Sequence, residues 1–202
     1  PVERDIQRDR RGWKTVTLKD DDGKIINGPL DDEGMPGPAV VEYDARGVVM
    51  SKTWVNDDGQ WHNNPEGYGQ MRYYPSGEVM ELTRYSRGVI TDGEAGEPAW
   101  MEFTRTGEVI CMTHFKDGLQ HDPDEETPAF QTWYPNGQPA EIAHYQNGVW
   151  HFDGRVAAAK WLEDGTRVVE CTYRHGELDQ NPGTEVGSRW TYSPRDNLIK
   201  VE

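Results

Sequence analysis

Apolar and polar residues alternate along this chain in short runs that end at glycines. The clearest run, AFQTWYPNGQPAEIAHYQNG, covers residues 129–148. Its period-2 alternation is typical of β-strands and its two Asn-Gly pairs are typical of turns, so it predicts strand, turn, strand and turn. The skeleton recurs with aromatic residues spaced 30, 30, 30, 28 and 31 residues apart, namely Tyr43, Tyr73, Phe103, Trp133, Trp161 and Tyr192.

A glycine follows four residues after each of the first five aromatics, at Gly47, Gly77, Gly107, Gly137 and Gly165. Glycine accepts positive φ in a turn, and a period repeated this often indicates a repeat array. The predicted fold is all-β: an elongated antiparallel meander of about six β-hairpin repeats of about 30 residues, with truncated end caps. The ten phased aromatics and glycines from Tyr43 to Gly165 are predicted to be structural repeat positions.

The ends of the chain depart from the period. Residues 1–12 have no apolar pattern and predict an N-terminal arm that is either mobile or an edge cover. Residues 13–202 predict a single β-hairpin repeat domain. Its first hairpin is short, with WKTVTLK at 13–19 returning through residues 24–26.

Composition narrows the classes of partner. The net charge is −15, which disfavours direct nucleic-acid binding because phosphate contacts need Lys and Arg, and favours a protein partner with a basic surface. The sequence contains no run of 18 apolar residues, so we expect no membrane span. Cys111 and Cys171 lie two repeats apart, about 19 Å at about 4.8 Å per strand, so we expect thiols and a cytoplasmic protein.

Candidate chemistry is sparse. His62, His121 and His151 share one repeat slot and could form a metal or acid–base site, or cap turns. Equivalent positions in adjacent repeats lie about 10 Å apart, which favours turn caps over ligands of one metal ion. The same spacing argument applies to His114 and His144. We therefore predict no catalytic residue, no metal and no cofactor.

The loops that follow the second glycine of each repeat are acidic. These loops either form a line of negative charge that steers a basic protein or protect the edge of the sheet and keep the protein in solution. A clustered-carboxylate calcium site at residues 122–126 is the alternative for one loop, although it lacks the ordered calcium-loop spacing. Loop aromatics off the strand period join these acids as candidate partner-binding residues: Trp61, Tyr68, Trp150, Asp92, Glu94, Asp122, Asp124, Glu125 and Glu126.

The segments YYPSGEVMELTRYSRG (73–88) and WYPNGQPAEIAHYQNG (133–148) resemble the MORN-repeat-variant family of stacked β-hairpins. The connection NGPLDDEGMPGPAV (27–40) resembles bacterial and phage repeats of the form N-G-x-L-H-x-x-D-G-P-A. The resemblance implies a non-catalytic interaction protein, in one bacterial branch an antitoxin or immunity protein. Two alternatives stay open: an acidic phage or host inhibitor that mimics DNA, and an enzyme built on the sheet.

Overall fold

The computed structural model describes residues 2–151, 156–171, 173–174, 177–178, 189–192 and 198–201, with side chains over 2–151 and 156–168. All regular elements in these ranges are β-strands, and the principal ones pair antiparallel in chain order. The prediction of an all-β chain of antiparallel hairpin repeats is confirmed. The chain divides into two compact units, residues 1–108 and 109–202. The single domain over residues 13–202 stays a prediction.

The first unit contains one antiparallel sheet, built in the order β1, β2, β3, β4, β5, β6 and β9, and a separate short hairpin of β7 and β8. Its strands are β1 (Glu3–Arg8), β2 (Lys14–Lys19), β3 (Val40–Tyr43), β4 (Val49–Thr53), β5 (Gln70–Tyr73), β6 (Val79–Thr83), β7 (Tyr85–Ser86), β8 (Val89–Ile90) and β9 (Trp100–Phe103).

The N-terminal region contains an edge strand and a shortened return. Strand β1 pairs with β2 from Glu3 opposite Lys19 to Arg8 opposite Lys14, so residues 3–8 form an edge strand, in line with the edge-cover alternative. The return strand expected at residues 24–26 is reduced to an isolated bridge between Lys19 and Ile25. Residues 20–24 make the tight Asp-initiated turn that limits this return: Asp20 Oδ1 accepts the amides of Asp22 and Lys24.

The second unit repeats this plan. Strands β10, β13, β14, β17, β18, β21 and β22 form an antiparallel sheet in that order, and the others form three short hairpins. The strands are β10 (Val109–Thr113), β11 (Phe115–Lys116), β12 (Leu119–Gln120), β13 (Phe130–Trp133), β14 (Pro139–Ala143), β15 (Tyr145–Gln146), β16 (Val149–Trp150), β17 (Ala158–Trp161), β18 (Arg167–Cys171), β19 (Tyr173–Arg174), β20 (Glu177–Leu178), β21 (Arg189–Tyr192) and β22 (Leu198–Val201).

The turn of each principal hairpin follows the phased aromatic, as the hairpin of β13 and β14 shows. The Tyr134 amide donates to the Gln138 carbonyl at 2.8 Å, and the register shifts by one residue after Thr132. Gly137 has φ 82°. A turn closed by a left-handed glycine opposite a shifted register is the glycine bulge that the twist of antiparallel strands favours. Equivalent glycines at 47, 77, 107 and 165 also have positive φ, which explains the fixed aromatic-to-glycine spacing.

The short hairpins are the main departure from the predicted strands. In four repeats the alternation of the sequence predicts a second strand that runs on to an aromatic residue, for example from Val79 to Tyr85. Strand β6 instead ends at Thr83, and Tyr85 begins a new hairpin. Its turn, Arg87-Gly88, has φ of 49° and 80°, and Asn147-Gly148 has 52° and 81°. Two successive left-handed residues define the type I′ turn that matches the twist of a two-residue hairpin loop.

The most deeply buried apolar side chains are small and lie at one repeat position, just before a first strand. Ala99, Ala129 and Ala157 are fully buried, and Ala39 is nearly so. Gly69 holds the same position in the second repeat, where a Cβ would lie 2.8 Å from Cδ2 of Tyr85. The aromatic of a short hairpin therefore packs directly against the small residue, which explains how a chain with few large apolar residues closes its core.

Candidate functional site

In three of the repeats that the structure describes, a buried polar residue separates the principal hairpin from the short hairpin that follows it. These residues are Arg84, His114 and His144, with exposures of 7%, 5% and 3%. Each donates its backbone amide at 2.7 Å to the carbonyl of a small core residue: Arg84 to Ala99, His114 to Ala129 and His144 to Ala157. The position therefore ties successive repeats together through the backbone.

Asp122, predicted to contact a partner, lies beside this position and makes three hydrogen bonds within the fold. Its Oδ1 accepts the amides of Ala129 at 2.7 Å and Tyr145 at 2.9 Å. Its Oδ2 lies 2.7 Å from Nδ1 of the buried His144 ring. Asn63 makes the equivalent of one of these bonds in the first unit: its Oδ1 accepts a hydrogen bond from the Tyr85 amide at 2.7 Å, as Asp122 accepts one from Tyr145.

The other predicted acidic residues divide into two groups. Asp92 accepts the Ala99 amide at 2.8 Å, and Asp124 accepts the amides of Glu126 and Thr127 at 2.8 and 2.7 Å. Those backbone bonds, with the Glu126 amide first, hold the pKa of Asp124 below its ordinary value. Glu94, Glu125 and Glu126 are exposed. The acidic loops thus combine carboxylates that hold turns with carboxylates that face solvent.

Two of the phased histidines act on turns. Nδ1 of His62 accepts the Arg87 amide at 3.3 Å, and Nδ1 of His121 accepts the Asn147 amide at 3.1 Å. Both amides belong to the type I′ turns of the neighbouring short hairpins, so for these residues the turn-cap alternative is observed. Within the described ranges, His, Cys, Asp and Glu form no group of three or more that could hold a metal ion.

The predicted loop aromatics pack on or beside the short hairpins. Trp61 is 41% exposed and meets Tyr85 edge to face, with ring centroids 5.2 Å apart. Trp150 meets Tyr145 in the same way at 6.3 Å. The guanidinium of Arg84 lies over the Tyr68 ring, 5.1 Å from its centroid. All three aromatics have structural contacts, and their role in binding stays a prediction.

An open apolar groove lies on the sheet of the first unit, across β5, β6 and β9, with a volume of about 780 Å³. Met71, Leu82 and Met101 form its floor as direct neighbours in register. Tyr68, Val79 and Phe103 complete its apolar lining. We call this surface the apolar groove. Among the residues predicted to contact a partner, only Tyr68 lines the groove. The groove forms where strands of two repeats pair in register, and the sequence of one repeat does not give that register.

An acidic recess adjoins the groove, with a volume of about 580 Å³, between the loops at residues 62–67 and 91–97. Its carboxylates are Glu66, Asp92, Glu94 and Glu97. Arg84 and Glu97 line both surfaces, so the groove and the recess adjoin at these two side chains. None of the ion pairs found among the described side chains involves Glu66, Glu94 or Glu97.

Hydrogen bonding and stacking fix Arg84 within this surface. Its guanidinium donates to the Pro98 carbonyl and stacks on Tyr68. The lining of the recess therefore combines exposed carboxylates with a buried arginine that other contacts hold in place. Across the residues that the structure describes, no helix has the length and apolar character to cross a membrane.

The fold and this surface define a β-hairpin repeat protein. Residues 129–147, the hairpin of β13 and β14 with part of the short hairpin after it, match the family described as MORN repeat variant. This match supports the MORN-repeat family for that repeat and agrees with the resemblance seen in the sequence. The chain matches none of the curated proteins with which it was compared.

Proposed function

We propose that this chain is a non-catalytic repeat protein that binds a protein partner through a basic surface of that partner. The observation that carries the proposal is that the apolar groove adjoins the exposed carboxylates of the acidic recess. Apolar area supplies affinity at an interface, and complementary charge supplies orientation and association rate. The net charge of −15 adds long-range attraction for a basic protein.

The engagement of the chemically capable side chains supports a binding role over a catalytic one. His144 is 3% exposed and held by Asp122, while His62 and His121 accept turn amides. Cys111 is a buried thiol at 5% exposure. A general base or nucleophile must reach its substrate, and these groups serve the fold instead.

The more specific form of the proposal is an antitoxin or immunity protein that inhibits a basic partner. Its support is the resemblance of the connecting segments to bacterial and phage repeats, together with the acidic charge. A protein of this kind would protect cells that express its partner. Co-expression with the identified partner should then restore growth, and restoration should fail with a variant that no longer binds.

The experiment is affinity capture from the native host followed by binding measurements with the purified partner. The bait is the wild-type chain, with Glu66→Lys/Glu94→Lys as the test variant. Asp57→Lys/Asp58→Lys changes the net charge equally at exposed loop positions outside the recess and serves as the control.

We expect a basic protein that binds the wild type and the control, with an affinity that falls as salt rises. A partner held equally well by the recess variant would count against the proposal. Displacement of the partner by duplex DNA would favour the DNA-mimic alternative, and turnover of a small molecule by the purified chain would favour an enzyme.

A further inference from the structure

The apolar groove and the acidic recess present two different chemistries along one path in the first unit. Met71, Leu82 and Met101 bring three strands side by side, about 9.6 Å from the first to the third. The path continues past Arg84 and Glu97 into the recess. A ligand that follows it meets apolar side chains first and carboxylates next.

We propose that this path binds an extended segment of the partner, with apolar side chains in the groove and a lysine or arginine of the same segment in the recess. The inference rests on the proposed function and specifies the chemistry of the bound segment.

The dimensions favour a segment of chain over a folded surface. The groove encloses about 780 Å³ and the recess about 580 Å³, within the range of concave sites that take a few side chains or a small ligand. An extended peptide points its side chains alternately to either side, and a receptor binds them in successive small pockets. A path of adjoining small cavities therefore fits an extended peptide.

The recess is suited to a cation because four carboxylates line it against one arginine, and other contacts hold that arginine. Arg84 is buried, bonded to the Pro98 carbonyl and stacked on Tyr68. Glu97 is oriented by the Ala95 amide, which its Oε2 accepts at 3.1 Å. Glu66 and Glu94 are exposed. An arriving guanidinium or ammonium group can therefore pair with carboxylates whose positions are partly set before binding.

Charge also distinguishes the occupant from a second copy of this chain. Two copies with a net charge of −15 each repel one another, whereas a basic segment is attracted. Residues 8–11 carry three arginines and are the part of a second copy best able to compete for the recess. Sedimentation of the purified protein tests this occupant directly. Self-association that the recess variant abolishes would overturn the proposal of a partner segment.

The test is selection of random 12-residue peptides displayed on phage against the purified full chain. The proteins compared are the wild type, the recess variant Glu66→Lys/Glu94→Lys, the groove variant Met101→Lys and the control Asp57→Lys/Asp58→Lys. Circular dichroism and thermal melting establish that each variant is folded. Selected peptides are then synthesised with a fluorophore and titrated by anisotropy.

We expect the wild type and the control to enrich peptides that place apolar residues within a few positions of Lys or Arg. Each of the other two variants should weaken their binding at least about tenfold, as when one partner of a close interaction is lost. Replacing the basic residue of a selected peptide by Glu should weaken binding to the wild type and improve binding to the recess variant. This exchange does not depend on whether the groove variant folds.

Enrichment of no common pattern, or peptides that bind the wild type and the recess variant equally, would overturn the inference. The proposed function fails separately. If the captured partner still distinguishes the wild type from the recess variant while peptides do not, the partner is read as a folded surface and only the inference is lost. If the partner also fails to distinguish them, both are lost.

Discussion

Asp122 should stabilise the second unit strongly, although the sequence marks it only as one acid in an acidic loop. Replacement by Ala removes the acceptor for the Ala129 and Tyr145 amides and the partner of His144 Nδ1. A buried donor left without an acceptor costs about 1–3 kcal/mol. The variant leaves two amides and one imidazole without this acceptor. Because the Asp122 side chain is 16% exposed, water replaces it only in part, and we expect a loss of about 3 kcal/mol in the free energy of unfolding.

Asp122→Asn separates the parts of this loss. Its Oδ1 can still accept both amides, as the Asn63 side chain accepts the Tyr85 amide in the first unit. Only the contact with His144 changes, because the amide nitrogen is a donor where the carboxylate was an acceptor. We expect a loss of about 1 kcal/mol for this variant.

The assay is urea denaturation followed by tryptophan fluorescence, with far-ultraviolet circular dichroism as the second probe. Glu126→Ala, which removes an exposed carboxylate from the same loop, is the control and should change stability by less than about 0.5 kcal/mol. An Asp122→Ala variant within that margin of the wild type would refute the structural role. Equal losses for Ala and Asn would show that the hydrogen bonds from the two backbone amides are not the source of the effect.

Three further predictions concern stability. Gly69→Ala should cost about 1–3 kcal/mol, because its Cβ would lie 2.8 Å from the Tyr85 ring; equal urea midpoints for wild type and variant would contradict this. Arg87→Asn should raise stability by about 0.5 kcal/mol, measured in urea, because Arg87 has φ 49° and Asn tolerates this region better; a lower midpoint would contradict it. Burial, and after it the neighbouring Glu81 carboxylate, raises the pKa of Glu102 above its ordinary 4.5. As pH rises, the unfolded chain therefore loses this proton before the folded chain does, and the free energy of unfolding falls between the two pKa values. Glu102→Gln should therefore be more stable by about 0.5 kcal/mol at pH 7 and equal to the wild type below about pH 4.5 in thermal melts; a gain that persists at low pH would contradict it.

The period of aromatic and glycine residues predicts the principal hairpins because both signals are local. Trp133 ends a strand and Gly137 adopts φ 82° within five residues of chain. The short hairpins carried a local signal as well, since Asn147-Gly148 between Tyr145-Gln146 and Val149-Trp150 is a strong two-residue hairpin sequence. The sequence pattern predicts the turn at Asn147-Gly148 but assigns Tyr145 to the preceding strand, because the alternation continues in phase up to that residue.

The buried acids and the groove are not predictable in this way, because they depend on contacts between repeats. Asp122 meets Tyr145, 23 residues away, and nothing in its own loop distinguishes it from Glu126. The floor of the groove joins Met71 to Met101 through Leu82, which requires the register of three strands from two repeats. A period fixes how each repeat folds but not which side chains meet across the boundary.

The position after each second strand shows how one repeat can differ in function from another without a change of fold. Trp54 and Arg84 both donate their backbone amide to the small core residue of the next repeat, Gly69 and Ala99. Their side chains reach opposite ways, since Trp54 Nε1 donates to the Pro36 carbonyl before it in the chain and Arg84 to the Pro98 carbonyl after it. The backbone bond is the same for both residues and requires only an amide at this position. The side-chain contacts are free to vary, and those of Arg84 hold Tyr68 and the Pro98 carbonyl, whose residues both line the apolar groove. Specific binding in this protein is therefore expected where equivalent residues differ, at positions whose backbone contacts stay the same.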